Sequence, residues 1–287
     1  MTTPLSFDRR TWMTLEPIHA MIYFTPHGGP AYNALGLVGR EHYFAPRMAA
    51  AGEVSAELTI STFYNFSPSL VRSCIPSAWQ KATAKEILAA RYRVADASLR
   101  EAGGSLIGSP EVGIAAALAR EAALVACEQV DGRPLFAAHA SLPWPTEDHL
   151  VLWHAQTLLR EYRGDAHIAL LVGEGLSGTE ALITHAATGF APAATLQQLR
   201  GWTDNEWAAS VDELRSRGIL APEGLTLTAL GTAQREHIES RTDSLAARPY
   251  LSLGEQRCSE LRRTARPLSQ ALVDIGWSPL RKPPAEE

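Results

Sequence analysis

Residues 153–167, W-H-A-Q-T-L-L-R-E-Y-R-G-D-A-H, constrain this chain more than any other stretch. Wound at 3.6 residues per turn, they place Val151, Ala155, Leu158, Leu159 and Tyr162 on one apolar stripe. His154, Thr157 and Glu161 line up beside it, while Trp153, Gln156, Arg160 and Arg163 take the far side. Gly164 reads as the helix stop, and Asp165 as the cap of a following helix that His167 begins. A polar stripe flanking an apolar one, with charges converging at a helix joint, suits the lining of a ligand pocket in a helical domain.

The remainder of the chain is punctuated in the same way. Before this stretch the periodicity predicts helices over 8–23, 31–37, 40–48, 54–66, 67–74, 84–102 and 111–127. Pro17 falls inside the first of these, and D-G-R-P at 131–134 predicts a turn followed by a short extended run to 138. Residues 141–147, with P-W-P, read as a linker, which sets domains of 1–140 and 141–287. Beyond it, helices are expected over 167–174, 177–188 and 191–200. Thr203-Asp204-Asn205-Glu206 is a capping box opening a helix through Arg215 that Gly218 ends. Residues 219–227, turning at Pro222-Glu223-Gly224, read as a tiny β-hairpin, and long helices follow from Ala229 and over 254–272.

Composition narrows the function classes. With 287 residues, 46% hydrophobic and 20% charged, the chain has the make-up of a globular protein able to bury a core. A net charge of −5 leaves no global basic field for nucleic acid or an anionic membrane. Arginine carries nearly all the positive charge, with lysine only at 81, 85 and 282. Three dispersed cysteines, Cys74, Cys127 and Cys258, with no zinc-type spacing, read as buried thiols in a reducing compartment. The N-terminus lacks an apolar signal core, and the expectation is a cytoplasmic protein without a membrane partner.

Two likenesses add to this reading. Two helices, a capped helix ending E-L-R-S-R-G-I-L at 213–220, a hairpin, and L-T-x-x-G at 227–231 opening a long helix together resemble the MarR-type winged helix. That likeness covers about residues 175–272. The whole chain resembles a group of actinobacterial helix-turn-helix proteins. The matching runs are L-E-P-I-H (15–19), F-Y-N-F-S-P (63–68), L-P-W-P (142–145), L-W-H-A-x-T-x-L-R-E-x-R-G-D-x-H (152–167) and G-W-T-D-x-E-W (201–207). The resemblance implies a mainly α fold of two helical halves, the second a winged-helix domain with a short β-hairpin wing. Matching H-A-M-I-Y-F at 19–24 to H-I-A-L-L-V at 167–172 suggests that the first half is a degenerate, winged-helix-like copy. By the same resemblance, the last two long helices would form a homodimer interface or clamp the first half.

The leading expectation for these residues is a small-molecule-binding winged-helix protein, and the alternative is a MarR-like, ligand-responsive regulator of transcription that binds DNA. A small-molecule pocket between the halves would draw on His19, Tyr64, Asn65, Arg160, Arg163 and Asp165 for binding. If it is catalytic, His154 or His167 would serve as base, with Glu161 or Asp165 orienting it. DNA binding would fall to the helix opened at Thr203, with Asn205, Arg215 and Arg217 as contacts. That helix carries Asp204, Glu206, Asp212 and Glu213, and its wing has no Arg or Lys, so the charge pattern disfavours DNA. Glu16-x-x-His19 has the spacing of carboxylate-bridged di-iron helices, but the second such motif is missing. No metal ligand and no cofactor is therefore assigned.

Overall fold

The computed structural model describes residues 5–278, and within them apolar periodicity and capping chemistry produce fifteen α-helices. Five short or medium helices come first: α1 (Phe7–Ala20), α2 (Gly28–Asn33), α3 (Glu41–Met48), α4 (Ala56–Phe63) and α5 (Pro68–Cys74). Next are α6 (Ala84–Gly103), α7 (Pro110–Cys127), α8 (Pro134–Ala140) and α9 (Asp148–Gly173). The series closes with α10 (Gly178–Ala186), α11 (Ala193–Arg200), α12 (Asp204–Ser216), α13 (Ala229–Ala246), α14 (Arg248–Leu253) and α15 (Glu255–Asp274). Reciprocal capping boxes open three of them: Thr83 with Glu86, Ser177 with Glu180, and Thr203 with Glu206. Pro17 lies inside α1 without ending it, and a 3₁₀ turn over Met21–Tyr23 finishes the segment.

The expected break at Gly164 is absent. The helix α9 runs unbroken for 26 residues, about 39 Å, and Gly164 and His167 both lie inside it. A helical glycine costs about 1 kcal/mol relative to alanine, less than the burial of Tyr162, Ala166 and Leu171 around it recovers. Asp165 caps a different helix from the one expected. Its Oδ2 accepts from the Phe136 backbone N–H at 2.8 Å, at the start of α8. That contact, with Pro134 in the first helical turn, folds as a helix the segment that the sequence pattern made extended.

Apolar packing divides within α9. The first core takes in Leu15, Phe44, Ile87, Phe136, Trp153, Leu158 and Tyr162, and is rejoined by Tyr250, Leu261, Leu268 and Leu272 from α14 and α15. The second core is built from Leu171, Leu176, Leu182, Ile183, Trp207, Leu214, Ile219 and Ile238. The segment expected as a linker, 141–147, therefore joins two helices of one core, and α9 is the strut common to both. The C-terminal α15 lies along α1 and α7 of its own chain. It is held there by Arg262 Nη1 donating to Thr11 Oγ1 (2.9 Å) and Ser269 Oγ donating to the Thr14 carbonyl (2.7 Å). This packing places α15 against the first half of its own chain. Among the described residues no helix is long and apolar enough to cross a membrane.

Candidate functional site

The second core gathers α10, α11 and α12 around one apolar centre. Trp207, Val211 and Leu214 recur at helical spacing and anchor α12 inward. This leaves Asn205, Ala208, Ala209, Asp212 and Glu213 exposed along its outer face. Before it, α10 is buried almost throughout, while α11 has no buried residue and ends at Gly201 in the left-handed region (φ 74°). The stem following α12 closes where Thr228 N–H donates to the Ile219 carbonyl at 3.0 Å. A β-carbon on Gly231 would lie 2.2 Å from that same carbonyl oxygen, which explains the glycine of L-T-x-x-G.

The β-hairpin wing expected at 219–227 does not form as strands. One antiparallel bridge, Leu220 to Leu227, closes the loop through two hydrogen bonds, Ala221 N–H to the Thr226 carbonyl at 2.9 Å and Thr228 N–H to the Ile219 carbonyl at 3.0 Å. Arms this short around Pro222 and Gly224 leave no room for a ladder.

The sequence profile of a helix-turn-helix family matches residues 8–279, nearly the whole chain. The chain belongs to that helix-turn-helix family. No curated protein and no solved structure matches it.

The charge of this three-helix region and the helix that follows it is predominantly acidic. Residues 171–246 hold five arginines and no lysine against ten carboxylates. Arg215 lies 3.4 Å from Asp212 and donates to the Gly224 carbonyl, while Arg217 pairs with Glu180 at 3.1 Å. Asn205, by contrast, stands exposed in the first turn of α12. Between the α12 stem and α13 runs an open groove of about 540 Å³ lined by Glu174, Arg217, Ile219, Leu230, Gln234 and His237.

The residues expected to line one pocket fall into separate places. His19, Arg160 and Glu161 come together beneath α9. His19 Nδ1 meets Thr157 Oγ1 at 3.0 Å and its Nε2 meets Tyr23 Oη at 3.0 Å. Arg160 Nε donates to Glu16 Oε1 at 2.9 Å, so the E-x-x-H pair is committed to an arginine and two hydroxyls. Glu161 takes one nitrogen of Arg47 on both its oxygens, at 2.9 and 3.2 Å. Burial alone would raise its carboxyl, but Arg47 and Arg160 outweigh it and hold it at about 2.

His154 sits apart, its Nδ1 2.9 Å from Tyr92 Oη and its ring edge-on to Trp144. On the side facing α13, Arg163 pairs with Asp243 at 2.6 Å and His167 Nδ1 meets Thr242 Oγ1 at 2.9 Å. The space beside Arg163 is only about 10 Å³, room for a single water. Tyr64 and Asn65 mark the seam between the cores: Tyr64 Oη donates to the Leu176 carbonyl, and the Asn65 carbonyl accepts from Trp202 Nε1 at 3.0 Å. Asp165 is raised to about 6 by burial, which outweighs its backbone hydrogen bond from Phe136.

Sequence reasoning missed Arg47, Arg91 and His139, which are buried, and Tyr92, which is half-buried beside His154. A signal for Arg91 was present. It occupies a core position of α6, in register with Ile87, Val94 and Ser98, where an amphipathic helix carries apolar residues. Burial, seconded by the charge of Arg91, holds His139 down at about 3 and His154 at about 4, so both are neutral at physiological pH.

Proposed function

We propose that this chain is a DNA-binding regulator of transcription that uses α12 as its reading helix. The observation that carries the reading is the outward face of α12, free of packing and set by a reciprocal cap, in a chain matched nearly end to end by a helix-turn-helix family. Asn205, in the exposed first turn, is placed to read a base edge, and Arg215 and Arg217 reach DNA by giving up Asp212 and Glu180. With so few cations, affinity comes from base contacts and shape more than from phosphate neutralisation. A gel shift against DNA from its own upstream region, repeated over 50–200 mM salt, tests this. The expected result is sequence-selective binding with a shallow salt slope, about −2 for two phosphate contacts, and Asn205→Ala weakening the specific site alone. Equal affinity for specific and scrambled duplexes would end the proposal.

One observation favours a second reading. Ten carboxylates against five arginines in the helix-turn-helix unit suit a basic protein surface as partner, and that reading predicts no DNA shift at any salt.

A further inference from the structure

The runs F-Y-N-F-S-P (63–68) and G-W-T-D-x-E-W (201–207), far apart in the chain, meet in space. The first forms the elbow between α4 and α5, and the second begins in the turn between α11 and α12. Across the seam Trp202 Nε1 donates to the Asn65 carbonyl at 3.0 Å, and the Ser67 N–H donates to the Arg200 carbonyl at 2.9 Å. Tyr64 Oη donates to the Leu176 carbonyl, and the Arg200 guanidinium lies 4.2 Å from the centre of the Phe66 ring. All three hydrogen bonds end on backbone carbonyls, while the buried apolar residues on either side belong to separate cores. The seam is thus fastened by directional contacts at one elbow. Tyr64 is held there at φ 46°, a conformation that a bulky residue keeps only where its surroundings impose it.

Opposite the elbow, the chain crosses between the cores twice. It leaves the first core along α9, between Tyr162 and Leu171, and returns through α13 and α14, between Ile238 and Tyr250. One side chain shows where the two crossings lie side by side: Arg133 donates from Nε to the Tyr162 carbonyl at 3.2 Å and from Nη2 to the Leu245 carbonyl at 3.3 Å. Both crossings are weak at that level. Helix α9 carries Gly164 there, although a β-carbon would meet nothing closer than Glu161 Oε2 at 3.5 Å, an ordinary contact. Packing does not demand that glycine, and its effect on the strut is added backbone freedom. On the return, α13 ends at Ala246, and α14 restarts at Arg248 with Pro249, which has no N–H to carry a helical ladder across the joint.

We infer that residues 165–246 form a hinged body that swings about Gly164 and Ala247 and is latched to the first half by the Tyr64–Ser67 elbow. Hinges of this kind absorb the change at a few element-terminal or small residues while the packed bodies stay intact. The contacts of Asp165 with Phe136, and of Arg9 and Arg163 with Asp243, lie beside the axis, where a swing displaces them least. Releasing the latch changes the angle at which α12 is presented. That holds whatever α12 contacts, so the inference goes beyond the DNA reading and its test contains no DNA.

The test uses the full-length protein with nitroxide amino acids built in and distances read by pulsed dipolar spectroscopy. Exposed Ala117 on α7 and Ala194 on α11 span the hinge, whereas Ala194 and exposed Thr232 on α13 both lie within the moving body. Tyr64→Phe together with Trp202→Phe removes two latch donors and keeps both rings. The spanning distribution should roughly double in width in this variant, with the inner pair unchanged, and adding Gly164→Ala should narrow it again. An unchanged spanning distribution in the folded double variant, equal broadening of the inner pair, or no narrowing by Gly164→Ala overturns the proposal. Hydrogen exchange in the unaltered protein is a second test that needs no substitution. The Ser67 amide, in a fully buried residue, should exchange about tenfold faster than the equally buried Ala119 in α7 and Leu214 in α12, because opening the latch exposes it while both cores persist. Exchange at Ser67 no faster than at those two positions also overturns the proposal.

Discussion

Replacing Glu161 by glutamine tests whether the buried charges beneath α9 hold the fold together. The carboxylate is 2% exposed and serves two guanidiniums, with Arg47 Nη2 at 2.9 and 3.2 Å and Arg160 Nη1 at 3.6 Å. Its folded pKa of about 2, against 4.5 when free, corresponds to about 3 kcal/mol of stability at neutral pH. Removing one member of a buried pair costs about 3–5 kcal/mol by an independent route, because the partner charge is left uncompensated. Both routes predict that Glu161→Gln loses about 3 kcal/mol at pH 7. A depressed carboxylate pKa gives stability that is complete above 4.5 and disappears as the pH falls through the folded value. The unaltered protein should therefore lose its advantage between pH 4.5 and 2, and the two unfolding curves should converge. Urea denaturation followed by circular dichroism, at steps from pH 7 to pH 3, measures the gap directly. A gap below about 1 kcal/mol at pH 7, or one that does not narrow toward pH 3, refutes the reasoning. A paired Arg47→Met, Glu161→Leu replacement should recover most of the loss, since it removes both charges together.

Two further perturbations probe the seams. A β-carbon on Gly178 would lie 2.1 Å from the Tyr64 carbonyl oxygen, a backbone atom that cannot step aside, while Tyr64 is itself held at φ 46°. Gly178→Ala should therefore cost about 1–3 kcal/mol in thermal unfolding, and an unchanged midpoint would show that the cores do not meet there as described. Asp165 is raised from 3.8 to about 6, so the folded state holds its proton while the unfolded chain releases it, and stability falls as pH rises through that interval. Asp165→Asn keeps an acceptor for the Phe136 N–H and should stabilise the protein at pH 7.5, the advantage vanishing by pH 4. A variant less stable at pH 7.5 would reverse the sign of the argument.

The local grammar of this protein was legible in its residues. Thr203-x-x-Glu206 placed the start of α12 correctly, and the 3.6-residue periodicity of 84–102 and 111–127 located α6 and α7 to within two residues. Such signals involve neighbours three or four positions apart and need nothing from the rest of the chain. Gly164 misled for the same reason: a local helix-stop signal was overruled by two cores buried on either side of one continuous strut. The wing pairs at a single bridge, Leu220 to Leu227, and its short arms do not extend that pairing into a ladder.

What only the tertiary structure decided is which charges meet. Glu161 and Arg47 are 114 residues apart, Arg163 and Asp243 are 80 apart, and Asp165 caps a helix that begins 31 residues before it. Sequence spacing grouped His154, Glu161 and His167 as one constellation because they converge on an expected helix joint at Gly164. Packing sent each to a different neighbour, Tyr92, Arg47 and Thr242, since successive faces of α9 look onto different partners. Helix periodicity is a property of the chain alone. Electrostatic pairing is set by which helix faces the hydrophobic cores bring together, and the chain acquires that only on folding.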